Sequence, residues 1–195
     1  MPDTDFCASG KENYDISTGY ERVIEALYRN ASASCLVEEC QRTLQNPVQL
    51  INGAFDIVCA STLYSVDSVD DKWLKNEEVG ALQQECIENL RTSKNLYKAN
   101  QSDVPVHIHN KTQSNKKSDT WICRIMREGE IFGYLVVLEC NRAMNEQDER
   151  LLTSFSRAIS LALKIEQNES SLTSARIEKL VEKLLNTTAS NPMSQ

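Results

Sequence analysis

His107 and His109 stand two residues apart in Val104–His109, a run that reads as a β-strand, and strand alternation puts both imidazoles on one face. Two imidazoles in that relation can ligate a metal, with Cys123 from a neighbouring strand as a further donor; histidines simply satisfied at a sheet are the plainer reading. The chain of 195 residues holds seven cysteines: Cys7, Cys35, Cys40, Cys59, Cys86, Cys123 and Cys140. Their odd number, wide scatter and lack of a C-x-x-C spacing point to reduced thiols rather than a disulfide framework. Cys59 and Cys123 are the redox-sensing candidates. A reactive thiolate needs a positive neighbour, and Arg124, next to Cys123, is expected on the opposite face. Nothing matches G-x-S-x-G, a phosphate-binding glycine loop or H-E-x-x-H, and no carboxylate pair is placed for acid–base work, so no enzymatic activity is expected. Asp70 and Asp71 read as a helix cap, and Lys111, Lys116 and Lys117 as a solvated basic loop.

The elements that would position these residues centre on Asp119–Cys140. Two apolar runs, Trp121–Met126 and Ile131–Leu138, flank Arg127-Glu128-Gly129-Glu130 and read as a β-hairpin. The second run is almost wholly apolar, which suits a central strand covered on both faces. Gly133 within it signals a bend, a bulge or a close backbone approach. Earlier in the chain, Val48–Ile51 and Phe55–Cys59 surround Asn52-Gly53, a second hairpin, with Phe55, Ile57 and Cys59 expected on one face. Asn95–Lys98 reads as another strand.

Helical spacing marks Thr18–Asn30, then a second helix capped by Ser32 or Ser34 and ended by Asn46-Pro47. Trp73–Arg91 is broadly helical with a break at Gly80. A long segment starts at Asn145, a good N-cap with an acidic first turn, and continues or breaks near Glu169–Ser171. The element order expected is α-α-β-β-α-β-β-β-α. The fold class is α+β, with a central antiparallel sheet of five to six strands flanked by N- and C-terminal helices.

Charge narrows the function. With 28 acidic and 21 basic residues the formal net charge is −7, which argues against direct nucleic-acid binding by this chain. No run approaches the roughly 18 apolar residues of a membrane span. The polar, acidic start MPDTDFCASGKENYD is unlike a signal peptide, so a cytoplasmic location without membrane contact is expected.

Three stretches resemble, in order, the sensory domain of PucR/CdaR-type helix-turn-helix transcriptional regulators, a GAF-like domain. NPVQLINGAFDIVCAS is similar to its first hairpin, and DDKWLKN to the start of its cross-over helices. REGEIFGYLVVLECNRAMNEQDERLLTSFSRAISLAL is similar to its closing hairpin and helix. Asp71-Lys72 stands where that family often has Asp-Pro, and the 110–118 loop is longer and more basic than expected. The resemblance implies a GAF/PAS-like fold; the divisions expected are a flexible leader at 1–16, polar and without a period, the sensory domain at 17–167, and a connecting or dimerisation helix with a polar, frayed tail at 168–195. It also implies a homodimer, an unidentified small-molecule effector or cofactor, and DNA contact only through a C-terminal domain absent from this chain.

GAF-like domains bind small molecules in a cavity between the sheet and the cross-over segments. Tyr64, Trp73, His107, Trp121, Cys123 and Tyr134, each an apolar body with a polar tip, are the pocket candidates. Leu172, Ile177, Leu180, Val181 and Leu184 keep helical spacing close to a seam and are the candidates for the dimer helix. The alternatives are a metal or redox sensor built on Cys59, His107, His109 and Cys123, or a dimerisation module whose core is filled by its own aromatics.

Overall fold

The computed structural model describes residues 16–60, 71–109 and 118–189. The leader, Tyr64, Asp70 and the three loop lysines therefore lie outside the described residues, as do the side chains of Leu172, Ile177, Leu180, Val181 and Leu184. The elements follow in the order α1 (Ile16–Tyr28), α2 (Ala33–Leu44), β1 (Val48–Asn52), β2 (Ile57–Ala60), α3 (Asp71–Val79), α4 (Gln84–Thr92), α5 (Asn95–Gln101), β3 (Val106–Ile108), β4 (Asp119–Arg127), β5 (Glu130–Glu139) and α6 (Glu146–Ala189). The five strands form one antiparallel sheet in the order β2-β1-β5-β4-β3.

The apolar strand β5 is central, as its composition predicts. It pairs with β4 through a two-residue turn in which Glu128 and Gly129 both have positive φ, the geometry that matches strand twist. The register of this pair shifts between Ile125 and Met126, leaving Phe132 as the extra residue of a bulge. Beside it, Gly133 lies against β1: a Cβ there would meet the Ile51 carbonyl oxygen at 1.9 Å.

Helices cover both faces of the sheet. On one, α1, α2 and α6 enclose a core of Leu36, Leu44, Leu50, Trp121, Cys123, Leu135, Leu151, Phe155 and their neighbours. On the other, the cross-over helices α3–α5 enclose Ile51, Phe55, Trp73, Ala99, Ile122, Tyr134, Val136 and Leu138. The side chain of Ser32 caps α2 by accepting from the Cys35 amide, and Gln45 closes that helix in the left-handed region. Asn145 caps α6: its Oδ1 accepts from the amides of Gln147 and Asp148, while Asp148 Oδ2 accepts from the Asn145 amide.

The structure departs from the sequence reading in two places. Asn95–Lys98 is the start of helix α5, not a strand. Leu96 and Ala99, three apart, face the core while Tyr97 is exposed, so the spacing is helical and a four-residue window is too short to show it. In β2 the register shifts between Leu50 and Ile51, so Val58 is extra; Ile57 then packs toward α3–α5 and Cys59 toward α1, α2 and α6, rather than on one face. The break expected at Gly80 is present: Gly80, at positive φ, follows α3, α4 begins at Gln84, and α5 makes the cross-over three helices. Of the two courses open for the last helix, α6 takes the unbroken one: its 44 residues span about 66 Å and pass residue 168 without interruption.

Candidate functional site

Strand alternation divides the predicted pocket residues between the two faces of the sheet. Trp73 and Tyr134 belong to the cross-over face, where α3 and β5 bring them into one core with Phe55. The rings of Phe55 and Tyr134 stack at 6.4 Å between centroids, and the Arg91 guanidinium lies 5.7 Å over Phe55. The Tyr134 hydroxyl donates to Asn100 Oδ1 at 2.7 Å, and burial raises its pKa. Trp73 Nε1 donates to Glu77 Oε1 at 2.8 Å, which also accepts from Gln49 Nε2 at 3.0 Å. Arg124, on the same face, binds the Asn100 carbonyl and the Asp103 carboxylate. This face thus holds a packed apolar core in which the phenol, the indole and the Arg124 guanidinium are each paired with protein groups.

His107, Trp121 and Cys123 lie on the other face, toward α6. The pairing of His107 with Trp121 and of Asp119 with Glu139 puts these four on one face of three adjacent strands, with His109 two residues beyond His107. The His107 and Trp121 rings stack at 4.2 Å with 7° between their planes, and the His109 ring sits 4.2 Å from that of His107. His109 Nδ1 is 2.7 Å from Asp119 Oδ2; His107 Nε2 is 3.2 Å from the same oxygen and 3.6 Å from Glu139 Oε2. Glu139 is itself held at both oxygens, by Trp121 Nε1 at 2.6 Å and the Met144 amide at 3.1 Å.

Cys59 and Cys123 are not brought to this cluster. Cys59 is on β2, at the far edge of the sheet, and Cys123 is buried one alternation inward from Trp121. Burial pushes the Cys59 thiol up to about 11, with Glu166 and Glu38 adding to the rise. Burial also raises Cys123, partly offset by a hydrogen bond with Ser156, and raises Cys40 well above the ordinary range, with Cys123 contributing. These are packing thiols rather than thiolates. The carboxylates Asp119 and Glu139 are the residues the sequence reading missed. Asp119 lies two before Trp121, so strand alternation puts the two on one face; what the sequence lacked was the partner strand's register.

Architecture and face assignment together define a GAF-like fold: a five-stranded antiparallel sheet, cross-over helices on one face and terminal helices on the other. Among solved structures, the GAF domain of a candidate sensor histidine kinase from Pseudomonas syringae pv. tomato superposes with a TM-score of 0.51 at 9% identity, covering 82% of this chain and 92% of that one. The cofactor-binding GAF domain of the nutrient sensor CodY from Clostridium difficile gives 0.47 at 13% identity, over 76% and 97%. The GAF domain of an Acinetobacter phosphoenolpyruvate-protein phosphotransferase gives 0.49 at 12%, over 78% and 94%. No protein-family model matches the chain, and no curated protein matches its sequence. No helix among the described residues is long and apolar enough to cross a membrane.

Proposed function

We propose that this chain is the ligand-sensing and dimerisation domain of a bacterial transcriptional regulator of the PucR/CdaR type. A small molecule binds over the cross-over face, near Trp73, Phe55 and Tyr134, and shifts the population of states that the terminal helices report. The chain works in the cytoplasm as a homodimer, performs no catalysis, and acts on DNA through a separate domain. One observation carries the reading: α6 packs its first half on the sheet and then continues as one unbroken helix, with Gln167–Ser170 exposed. A helix longer than its domain needs for cover is a means of passing a signal onward. The three-part motif resemblance supports the regulator assignment.

Native mass spectrometry of the purified protein beside the same sample denatured tests this. A dimer carrying a small excess mass that disappears on denaturation is expected, with the dimer lost in Leu180→Lys/Leu184→Lys. A monomer, or a dimer indifferent to that double substitution, refutes the role given to α6. An excess mass retained by a Tyr134→Ala/Trp73→Ala variant that still folds refutes the cross-over face as the binding site.

A further inference from the structure

The geometry points to a divalent transition-metal site formed by His107, His109 and Asp119, with Glu139 beside it. Among the described residues these three bring ligand atoms within 4.8 Å of one another. Tetrahedral coordination with bonds of about 2.0–2.1 Å separates neighbouring ligand atoms by about 3.3–3.4 Å. His107 Nε2 already stands 3.2 Å from Asp119 Oδ2 and 3.6 Å from Glu139 Oε2. The shorter 2.7 Å contact of His109 Nδ1 with Asp119 opens easily, because the His109 side chain is 72% exposed and free to turn.

A second observation is independent of the spacing. His107 Nε2 is buried, yet it makes no aligned hydrogen bond; the nearby carboxylate oxygens are poorly directed for one. A cation at the centre of the cluster supplies the missing partner. The outer contacts are those of a built site: Trp121 stacks on His107 and fixes its ring, while the Trp121 indole and the Met144 amide fix Glu139. Two imidazoles and carboxylate oxygens, without thiolate, select zinc or its neighbours cobalt and nickel over copper(I), and over the all-oxygen cations calcium and magnesium. With three protein ligands, the remaining position falls to water or Glu139, and the two carboxylates balance the charge of the ion.

Cobalt(II) is the probe, followed by zinc in a competition titration of the full chain. Stoichiometric binding with weak visible d–d bands and no intense near-ultraviolet thiolate band is expected, with zinc displacing cobalt. His109→Ala removes an exposed side chain and leaves the fold intact. It should weaken zinc binding by more than the roughly 10–100-fold that loss of an outer contact costs. Asp119→Asn, its fold checked by circular dichroism, should do the same. A thiolate band, binding unchanged in His109→Ala, or no binding at millimolar cobalt each overturns the site. The outcome is separate from that of the cross-over face, because neither substitution touches it.

Discussion

Gly133→Ala should be the most damaging single-methyl change in the protein. The added Cβ would lie 1.9 Å from the Ile51 carbonyl oxygen and 2.8 Å from both the Ile51 carbonyl carbon and the Asn52 Cα. All three are backbone atoms of β1, so no side chain can turn aside. Ordinary contact begins at 3.4 Å, so β1 and β5 must separate by about 1.5 Å here, beyond the reach of the N–H···O bonds that join them. Losing two such bonds at about 1 kcal/mol each, and leaving their two N–H and two C=O groups buried at about 1 kcal/mol apiece, amounts to about 6 kcal/mol. That is a large part of the 5–15 kcal/mol, approximately, that holds a domain folded. Gly129→Ala, in open space at φ 86°, should cost only about 1 kcal/mol of backbone strain. Gly53→Ala, whose nearest neighbour is the Phe132 carbonyl oxygen at 3.6 Å, should stay within about 0.5 kcal/mol of the parent. Urea unfolding of the three variants, followed by circular dichroism and by fluorescence of Trp73 and Trp121, ranks them. If Gly133→Ala costs no more than Gly129→Ala, the close approach of β5 to β1 is wrong.

Asp148→Ala should destabilise by about 3–5 kcal/mol in the same assay, because Asp148 is fully buried and takes two 2.7 Å bonds from Arg142 as well as the Asn145 amide; a loss under about 1 kcal/mol would deny it that role. Iodoacetamide on the native protein at pH 8, read by peptide mass spectrometry, should modify exposed Cys35 and spare Cys40, Cys59 and Cys123 until denaturant is added. Rapid modification of Cys123 would revive a redox role. The raised thiols also set a pH limit. In the folded chain Cys59 stays protonated up to about 11, while the unfolded chain ionises near the ordinary value of 9.0, so stability is full below 9 and falls as pH rises from 9 toward 11. A urea midpoint that holds constant across that interval would contradict the burial of these thiols.

Much of the fold could be read from residues alone, because the signals are local. The apolar run of β5 gave its central place, Arg127–Glu130 the hairpin connection, and Asn145 the start of α6, while Gly133 marked a bend, a bulge or a close approach, of which the structure takes the last. What escaped was set by pairing. Helix α5 hid in four residues whose period could not be told from a strand's. The extra residue at Val58 reverses every face after it, so Ile57 and Cys59 part company. The same ambiguity grouped Tyr134 with Trp121 and Cys123, although Arg124 pairs with Tyr134 and Trp121 with Val137, which puts them on opposite faces. Asp119 and Glu139 reach the histidines only through the register of three strands. No spacing in the sequence shows that.

The junction between β5 and α6 bears on how any event on the sheet reaches the long helix. It is built as a rigid joint. Asn46, buried in the turn between α2 and β1, accepts from the amides of Cys140, Asn141 and Arg142 at 3.2, 2.9 and 3.3 Å, and its Nδ2 donates to the Arg142 carbonyl at 2.9 Å. Arg142 in turn grips Asp148 inside the first turn of α6, and Glu139 grips the Met144 amide. Between the end of β5 and the start of α6, the amides of Asn141, Arg142, Met144 and Asn145 are therefore each bonded to a side chain. Hinges need a few positions free to absorb changes in φ and ψ, and this segment leaves none of those four free. A displacement of β5 is expected to move α6 as a whole rather than bend it at its root. Tyr134 on the cross-over face and Glu139 beside the histidines are both side chains of β5, the strand this joint ties to α6.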